Sequence, residues 1–287
     1  MTDKLLDALP NHRELARVQL GASIRKIRQQ ATIKQAALAR AAHMSQPKIS
    51  KIELGDVAPS ITDIRSILAV LKPAEEIEQK ILAQFDLLDM PEGDRRAIYQ
   101  LGIASKQRQF RELEKKAERI RVFDTSVLPG LMQTEAYARG IVTGLAPFPQ
   151  NEIDEAVDER MRRQERLWEA GKSFEFIILE AALWARHCTA EEHLAQLDRI
   201  RQLMTRPNIR FGIVRANSPL PNVINAFWLF DEDYVSAETI ASEVISISPE
   251  SIREYIRAFE SLTALAMFDS AADAVIGEAM VSLERSS

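Results

Sequence analysis

Hydrophobic residues change their period once along this chain, and the change divides it. Through the first 72 residues apolar positions recur every three or four places. They are Leu15, Val18, Leu20, Ile24 and Ile27 in "ELARVQLGASIRKIRQQ", then Ile61, Ile64, Ile67, Leu68 and Leu71 after "DVAPS". That spacing lays one apolar stripe along each of two helices. Between them "KQAALARAA" and "SQPKISKIE" predict two shorter helices, the second closed by Gly55. Ser60 stands at the head of the fourth helix with Asp63 in its first turn, where a carboxylate complements the helix dipole. Pro73 disfavours helical continuation and marks a boundary.

Beyond Pro73, "AEEIEQKILAQFDLLDM" and "GDRRAIYQLGIASKQRQFRELEKKAERI" predict helices, the second long and heavily charged. "RVFDTSVLPGLMQTEAYARGIV" passes through a Pro129-Gly130 turn into a helix that Thr134 can cap. A charged helix follows over about 151–170. The period then shortens: "SFEFIILE", "NIRFGIV", "NAFWLF" and "YVSAET" are short, β-branched and aromatic-rich, the mark of four strands, with "DED" as a tight turn between the last two. Thr189 and Glu192 frame a capping box for the helix "AEEHLAQLDRIRQLM". Helices over about 249–267 and 270–284 finish the chain. The expected organisation is an all-α head (1–72), a helical connector (73–120), and an α+β regulatory and dimerisation domain (121–287) with a small sheet of about four strands.

Composition narrows the function classes. The 287 residues are 46% hydrophobic and 28% charged, without low-complexity tracts, which fits roughly two folded domains. Cys188 is the lone cysteine, so neither an internal disulfide nor a cysteine-based zinc cluster is available. The four histidines never approach metal-ligand spacing, and no glycine loop suits a phosphate. His187 and Cys188 are neighbours that point ~100° apart on a helix, with no Asp or Asn placed to orient them. No metal, no cofactor and no enzyme activity is expected. Glu180, at the end of "FIIL", is expected to pair with Arg162 or Arg163. No run approaches the ~20 apolar residues of a membrane span, so a cytoplasmic address is expected. The net charge of −5 is unevenly shared: residues 1–72 hold 12 Lys/Arg against 6 Asp/Glu, and residues 73–287 hold 25 against 36. A basic head on an acidic body is the distribution of a nucleic-acid-binding module fused to a regulatory domain.

Within 35–54 the apolar set is Leu38, Ala39, Ala42, Met44, Ile49 and Ile52. Two short helices crossing steeply need facing apolar residues with a small one, here Ala39, at closest approach, which is the helix-turn-helix pattern. It leaves Gln46, Pro47, Lys48, Ser50 and Lys51 outward on the second helix. Gln46, at the helix start, can pair with adenine N6 and N7; Lys48 can reach guanine O6/N7 or a phosphate. Ser45 is the N-cap, and the free N–H groups beside it favour a phosphate. Gln35, preceded by Lys34, can hold a backbone phosphate and fix the register. No acidic residue interrupts this face between Gln35 and Ile52. Double-stranded operator DNA read by a homodimer, one half-site per head, is the partner this predicts.

The stretch "IRKIRQQATIKQAALARAAHMSQPKISKIELGDVAPSITDIRSILAVL" resembles the XRE family of lambda-repressor-like helix-turn-helix domains. The family runs R-x-x-R (here Arg25, Arg28), Q-x-x-L-A (Gln35, Leu38, Ala39), S-x-x-x-I-S-x-I-E-x-G (Ser45, Ile49, Ser50, Ile52, Glu53, Gly55) and P-S (Pro59, Ser60). Two positions depart from it. Lys34 replaces the usual Ser or Thr cap, which moves the expected cap to Thr32 with Gln35, and His43 occupies a turn position usually held by Gly. The body, through "RVFDTSVLPGLMQTEAYARGIV", "ERMRRQERL", "FEFIILEAALW" and "HLAQLDRIRQLM", resembles the C-terminal domain of antitoxin-like actinomycete XRE regulators. That resemblance implies transcription regulation and a small neighbour-encoded partner protein, with a small-molecule effector as the other source of control. It also keeps open an antitoxin-like interaction module whose main task is partner binding. Gln133 with Tyr137 either lines an effector or partner pocket or forms a buried turn. Trp168, Trp184 and Trp228 belong to the core or an interface, or Trp184 and Trp228 wall that pocket.

Overall fold

The computed structural model describes residues 12–89, 103–145, 148–221, 223, 225–239 and 243–286. The chain divides into two compact units at the 102/103 boundary. The segment 73–120, expected as a connector, is therefore shared between them, and residues 93–102 of its long predicted helix lie outside the described residues.

The head is built from α1 (His12–Gln30), α2 (Gln35–Ala41), α3 (Gln46–Leu54), α4 (Ile61–Leu71) and α5 (Glu75–Asp86). Its core gathers the stripes seen in the sequence: Leu20, Ile24, Leu38, Ile49, Ile52, Ile64 and Ile67 are almost wholly removed from water. Val18, on the same expected stripe, is half exposed instead. Helix α5 adds Ile81, with Leu82 and Phe85 partly buried against the same cluster, so it belongs to the head. Gly21 lies where α1 crosses α3; a Cβ there would overlap the Ile52 carbonyl oxygen, so the crossing distance requires glycine. The turns are set by local chemistry. His43 adopts φ 54° between α2 and α3, and Gly55 ends α3 at φ 79°. Ser60 and Asp63 exchange side-chain-to-backbone hydrogen bonds in a full capping box at the start of α4. The cap expected from Thr32 does not form. Thr32 sits at φ 55° with its hydroxyl turned back to donate to the Ala31 carbonyl (2.7 Å), and α2 starts after Lys34 without a side-chain cap.

The body carries α6 (Ile103–Lys116), β1 (Arg119–Asp124), α7 (Glu135–Leu145), α8 (Gln150–Arg163), β2 (Ser173–Leu179), α9 (Ala181–Trp184), α10 (Ala190–Met204), β3 (Ile209–Val214), β4 (Phe227–Phe230), β5 (Tyr234–Glu238), β6 (Glu243–Ser246), α11 (Pro249–Leu265), β7 (Met267–Phe268) and α12 (Asp269–Ser286). Thr134 caps α7 through its hydroxyl, and Thr189 and Glu192 form the predicted capping box on α10. The sheet runs β6-β5-β4-β1-β2-β3-β7, with β1, β2 and β3 parallel and the other pairings antiparallel. Six strands have four to seven residues, and the two-residue β7 adds an edge. This corrects the expected sheet of about four strands. The four predicted strands are β2 to β5. The missed β1 is central and buried from Ile120 to Asp124. β2 is as deeply buried but all apolar or aromatic after Ser173 apart from Glu175, whereas Arg119, Arg121 and Asp124 give β1 the look of a polar segment leading into the Pro129-Gly130 turn.

Helix α11 covers one face of the sheet, packing Ile252, Phe259 and Leu262 with Phe123, Ile177, Val214, Phe227 and Leu229. Elsewhere in the body Arg163 of α8 reaches α6, donating to Glu114 through Nε and Nη2 and to Gln107 Oε1 through Nη1. The expected pairing of Glu180 with Arg162 or Arg163 is thus overturned. Glu180 follows β2 beside the end of β3, where its carboxylate accepts from the Ala216 amide (2.9 Å) and meets Arg215 (3.3 Å).

Candidate nucleic-acid interface

The two helices of the motif meet as their apolar sides require. Ile49 and Ile52 of α3 are buried with Leu38 and Ala39 of α2, which fixes the opposite side of α3 toward solvent. Ser45 caps α3, its hydroxyl accepting from the Lys48 amide (3.3 Å), and Pro47 occupies the first turn, where no amide hydrogen is needed. Gln46 and Lys51 are exposed, as are Ser45 and Lys34; Lys48 and Ser50 are half-buried. Ser45, Gln46, Lys48, Ser50 and Lys51 thus share one short helix and its cap. The first turn of α3 leaves N–H groups free of helical partners, which suits an anion.

Two of the sequence-selected residues are engaged within the protein. Gln35, expected to hold a phosphate, is half-buried and donates through Nε2 to Glu53 Oε2 (2.7 Å). Glu53, 4% exposed, also receives two parallel hydrogen bonds from Arg28 of α1, at 2.5 and 2.9 Å, while Arg28 Nη1 donates to the Ile33 carbonyl (2.8 Å). One carboxylate therefore ties α1, α2 and α3 together. Lys48 is the second: its ammonium donates to Asp63 Oδ1 of α4 (2.7 Å). The face expected to be free of acid is met by Asp63 from outside the 35–52 window. Burial pushes the Asp63 carboxyl upward, but the hydrogen bonds from Lys48 and from the Ser60 amide and hydroxyl outweigh it and hold the group below its ordinary value.

Arg28 and Glu53 were read only as motif positions and Asp63 only as a helix-dipole partner, none of them as part of the binding face. One signal was present for Glu53. It follows Ile49 and Ile52 on the inward stripe of α3, and a charge there requires a buried partner.

In the body, each of the expected pocket residues has its own surroundings. Gln133 is buried; its Nε2 donates to the Leu128 carbonyl (2.6 Å) and its Oε1 accepts from Arg160 (2.6 Å). Tyr137 is buried beside it, its hydroxyl accepting from the Leu128 amide (3.2 Å) and its ring near His187 and His193. Both side chains therefore brace the 128–133 turn. Trp228 packs edge-on against Phe110, and Trp184 is 42% exposed at the end of α9. Asp124, at the carboxyl end of β1, is buried with Oδ1 unpaired among the described residues. Burial raises its carboxyl to about 7, against the opposing pull of Arg160. Burial likewise pushes the Cys188 thiol up to about 11, which disfavours a thiolate nucleophile. Among the described residues no group of three or more His, Cys, Asp or Glu is placed to share a metal ion, and no helix is long and apolar enough to cross a membrane.

Comparison with known families matches both units. Residues 19–76 match a model described as a helix-turn-helix domain, and residues 107–278 match a domain of unknown function, DUF5753. No curated protein matches the chain.

Proposed function

The chain belongs to the DUF5753 family and carries a helix-turn-helix domain before that domain, and from this premise we propose that it is a sequence-specific transcriptional regulator of the XRE type. It acts in the cytoplasm and binds operator DNA as a homodimer, and its body supplies the subunit contact and the input, a small neighbour-encoded protein or a small-molecule effector. On this reading the chain binds and does not catalyse. The observation that carries the reading is the solvent-facing start of α3. Gln46 and Lys51 stand exposed on a Ser45-capped helix whose other side is locked by Ile49, Ile52 and Glu53. Two heads related by a two-fold axis read half-sites about one helical turn apart, which gives the pair more base contacts than one short helix offers.

The test is selection of bound duplexes from a random library by the full chain, followed by titration of Gln46→Ala and Lys48→Ala on the selected site. Each bidentate base contact contributes about 1–3 kcal/mol, so affinity should fall roughly 5- to 150-fold in each variant. Wild-type affinity in both variants refutes the assignment. An antitoxin-like interaction role is the second reading, supported by Trp168 and Trp184, 51% and 42% exposed on the body. Aromatic residues of this kind anchor protein interfaces. Stable co-purification of the neighbour-encoded protein, with no duplex selected by the chain, would favour it.

A further inference from the structure

The Lys48–Asp63 contact is an unusual use of a residue on a DNA-reading helix, because it neutralises a charge that phosphates would otherwise attract. Asp63 is held on two sides. Its Oδ2 accepts from the Ser60 amide (2.9 Å) and its own amide donates to the Ser60 hydroxyl (3.1 Å), so the capping box of α4 fixes the carboxylate. Its Oδ1 then receives Lys48 Nζ at 2.7 Å. The Asp63 side chain is 13% exposed and that of Lys48 42% exposed, so the acid is sheltered while the ammonium is still reachable. Lys51, one turn further along α3, is exposed and has no ion-pair partner among the described residues.

We propose that Asp63 is a specificity-determining positioning residue for DNA recognition, an inference that rests on the DNA-binding reading above. An ammonium has three N–H donors. Asp63 occupies one, fixes where Nζ stands, and leaves two for acceptors on a base edge such as guanine O6 and N7. It also cancels the Lys48 charge at long range. Lys51 and the other unpaired basic groups then supply sequence-independent attraction to phosphates, and Lys48 contributes chiefly when a matching base is present.

Counterion release makes the inference measurable, since each phosphate neutralised steepens the salt dependence of log K by about 0.9. The full-length chain, its Asp63→Asn variant and its Lys48→Met variant would be titrated between 50 and 200 mM salt. The probes are the duplex selected by the wild type and an alternating dA-dT duplex as the non-specific ligand. Asp63→Asn frees Lys48, so binding to the dA-dT duplex should tighten about fivefold near 0.1 M salt and its slope steepen by about 0.9, while the preference for the selected duplex falls. Lys48→Met should leave the dA-dT slope unchanged, because Lys48 neutralises no phosphate there, and weaken the selected duplex more than the dA-dT duplex, which loses only what the uncovered Asp63 carboxylate repels. Asp63→Gln, which retains a capping-box residue at that position, repeats the charge removal should the Asn variant fold poorly. A purely structural role lowers the melting temperature of the Asp63 variants without moving either slope or preference, and that result overturns the inference, as does a dA-dT slope reduced by about 0.9 in Lys48→Met. A wild-type chain that selects no duplex refutes the DNA-binding reading, and this inference with it; selection by the wild type with unmoved variants refutes the inference alone.

Discussion

The three-way tie at Glu53 makes the sharpest quantitative prediction for the head. Its carboxylate is almost entirely removed from water, with side-chain exposures of 1% for Glu53 and 11% for Arg28, and it accepts two hydrogen bonds from Arg28 and one from Gln35. Replacing Glu53 by Leu leaves the Arg28 guanidinium buried without its counter-charge. Loss of one member of such a pair costs about 3–5 kcal/mol. A unit of this size shifts its melting temperature by about 4–8 °C per kcal/mol, so the head transition should fall by at least about 12 °C. Replacing both members, Arg28→Met with Glu53→Leu, removes the stranded charge and should recover at least half of that loss, because an apolar pair of similar volume needs no desolvation of ions. Calorimetry on the full chain gives the transitions, and amide hydrogen exchange in α1 and α3 identifies the one that belongs to the head. A Glu53→Leu loss under about 1 kcal/mol, or a double variant no more stable than the single one, would show that the tie is not a desolvated ion pair in the sense argued. The same pair aligns α3 against α1, so the single variant should also weaken binding to the selected duplex at temperatures where it is still folded.

Two further outcomes follow from buried groups. Asp124 has a folded-state value of about 7, well above that of an exposed carboxyl, so between about pH 4 and pH 7 the unfolded chain ionises first and the body loses stability as pH rises, levelling off above 7. Asp124→Asn should remove that decline, amounting to a few kcal/mol, and should be the more stable form at pH 8; parallel urea-midpoint curves for the two proteins from pH 4 to 8 would refute it. Gly21→Ala should destabilise the head even though helix propensity alone favours alanine by about 1 kcal/mol, because the added methyl meets the Ile52 carbonyl; an unchanged or raised melting temperature would contradict the close crossing.

The head was largely legible in the sequence because its helices are short, local and amphipathic. Ile49 and Ile52 against Leu38 and Ala39, the Ser45 cap and the Ser60–Asp63 start of α4 all follow from spacing and residue type within a few positions, and the positive φ at His43 is what the family resemblance implied. The body was legible only in part. The β-branched and aromatic strands β2 to β5 stood out, whereas β1, interrupted by Arg121 and Asp124, the four-residue β6 and the two-residue β7 did not. The Glu180 partner was misread because its neighbour, Arg215, lies across a strand pairing that sequence order does not reveal.

What the sequence determined by itself is therefore the local chemistry: which helix faces water, which residue caps it, and that Gln46 and Lys51 remain outward on α3. What the tertiary structure alone decided is which of those outward groups are still free. Gln35 and Lys48 looked equally available within their own helices, but Glu53 turns the first inward and Asp63, brought in by α4, pairs the second. A charge interacts through a few ångströms of space irrespective of sequence separation, so its partner is set by helix packing and not by the pattern around it.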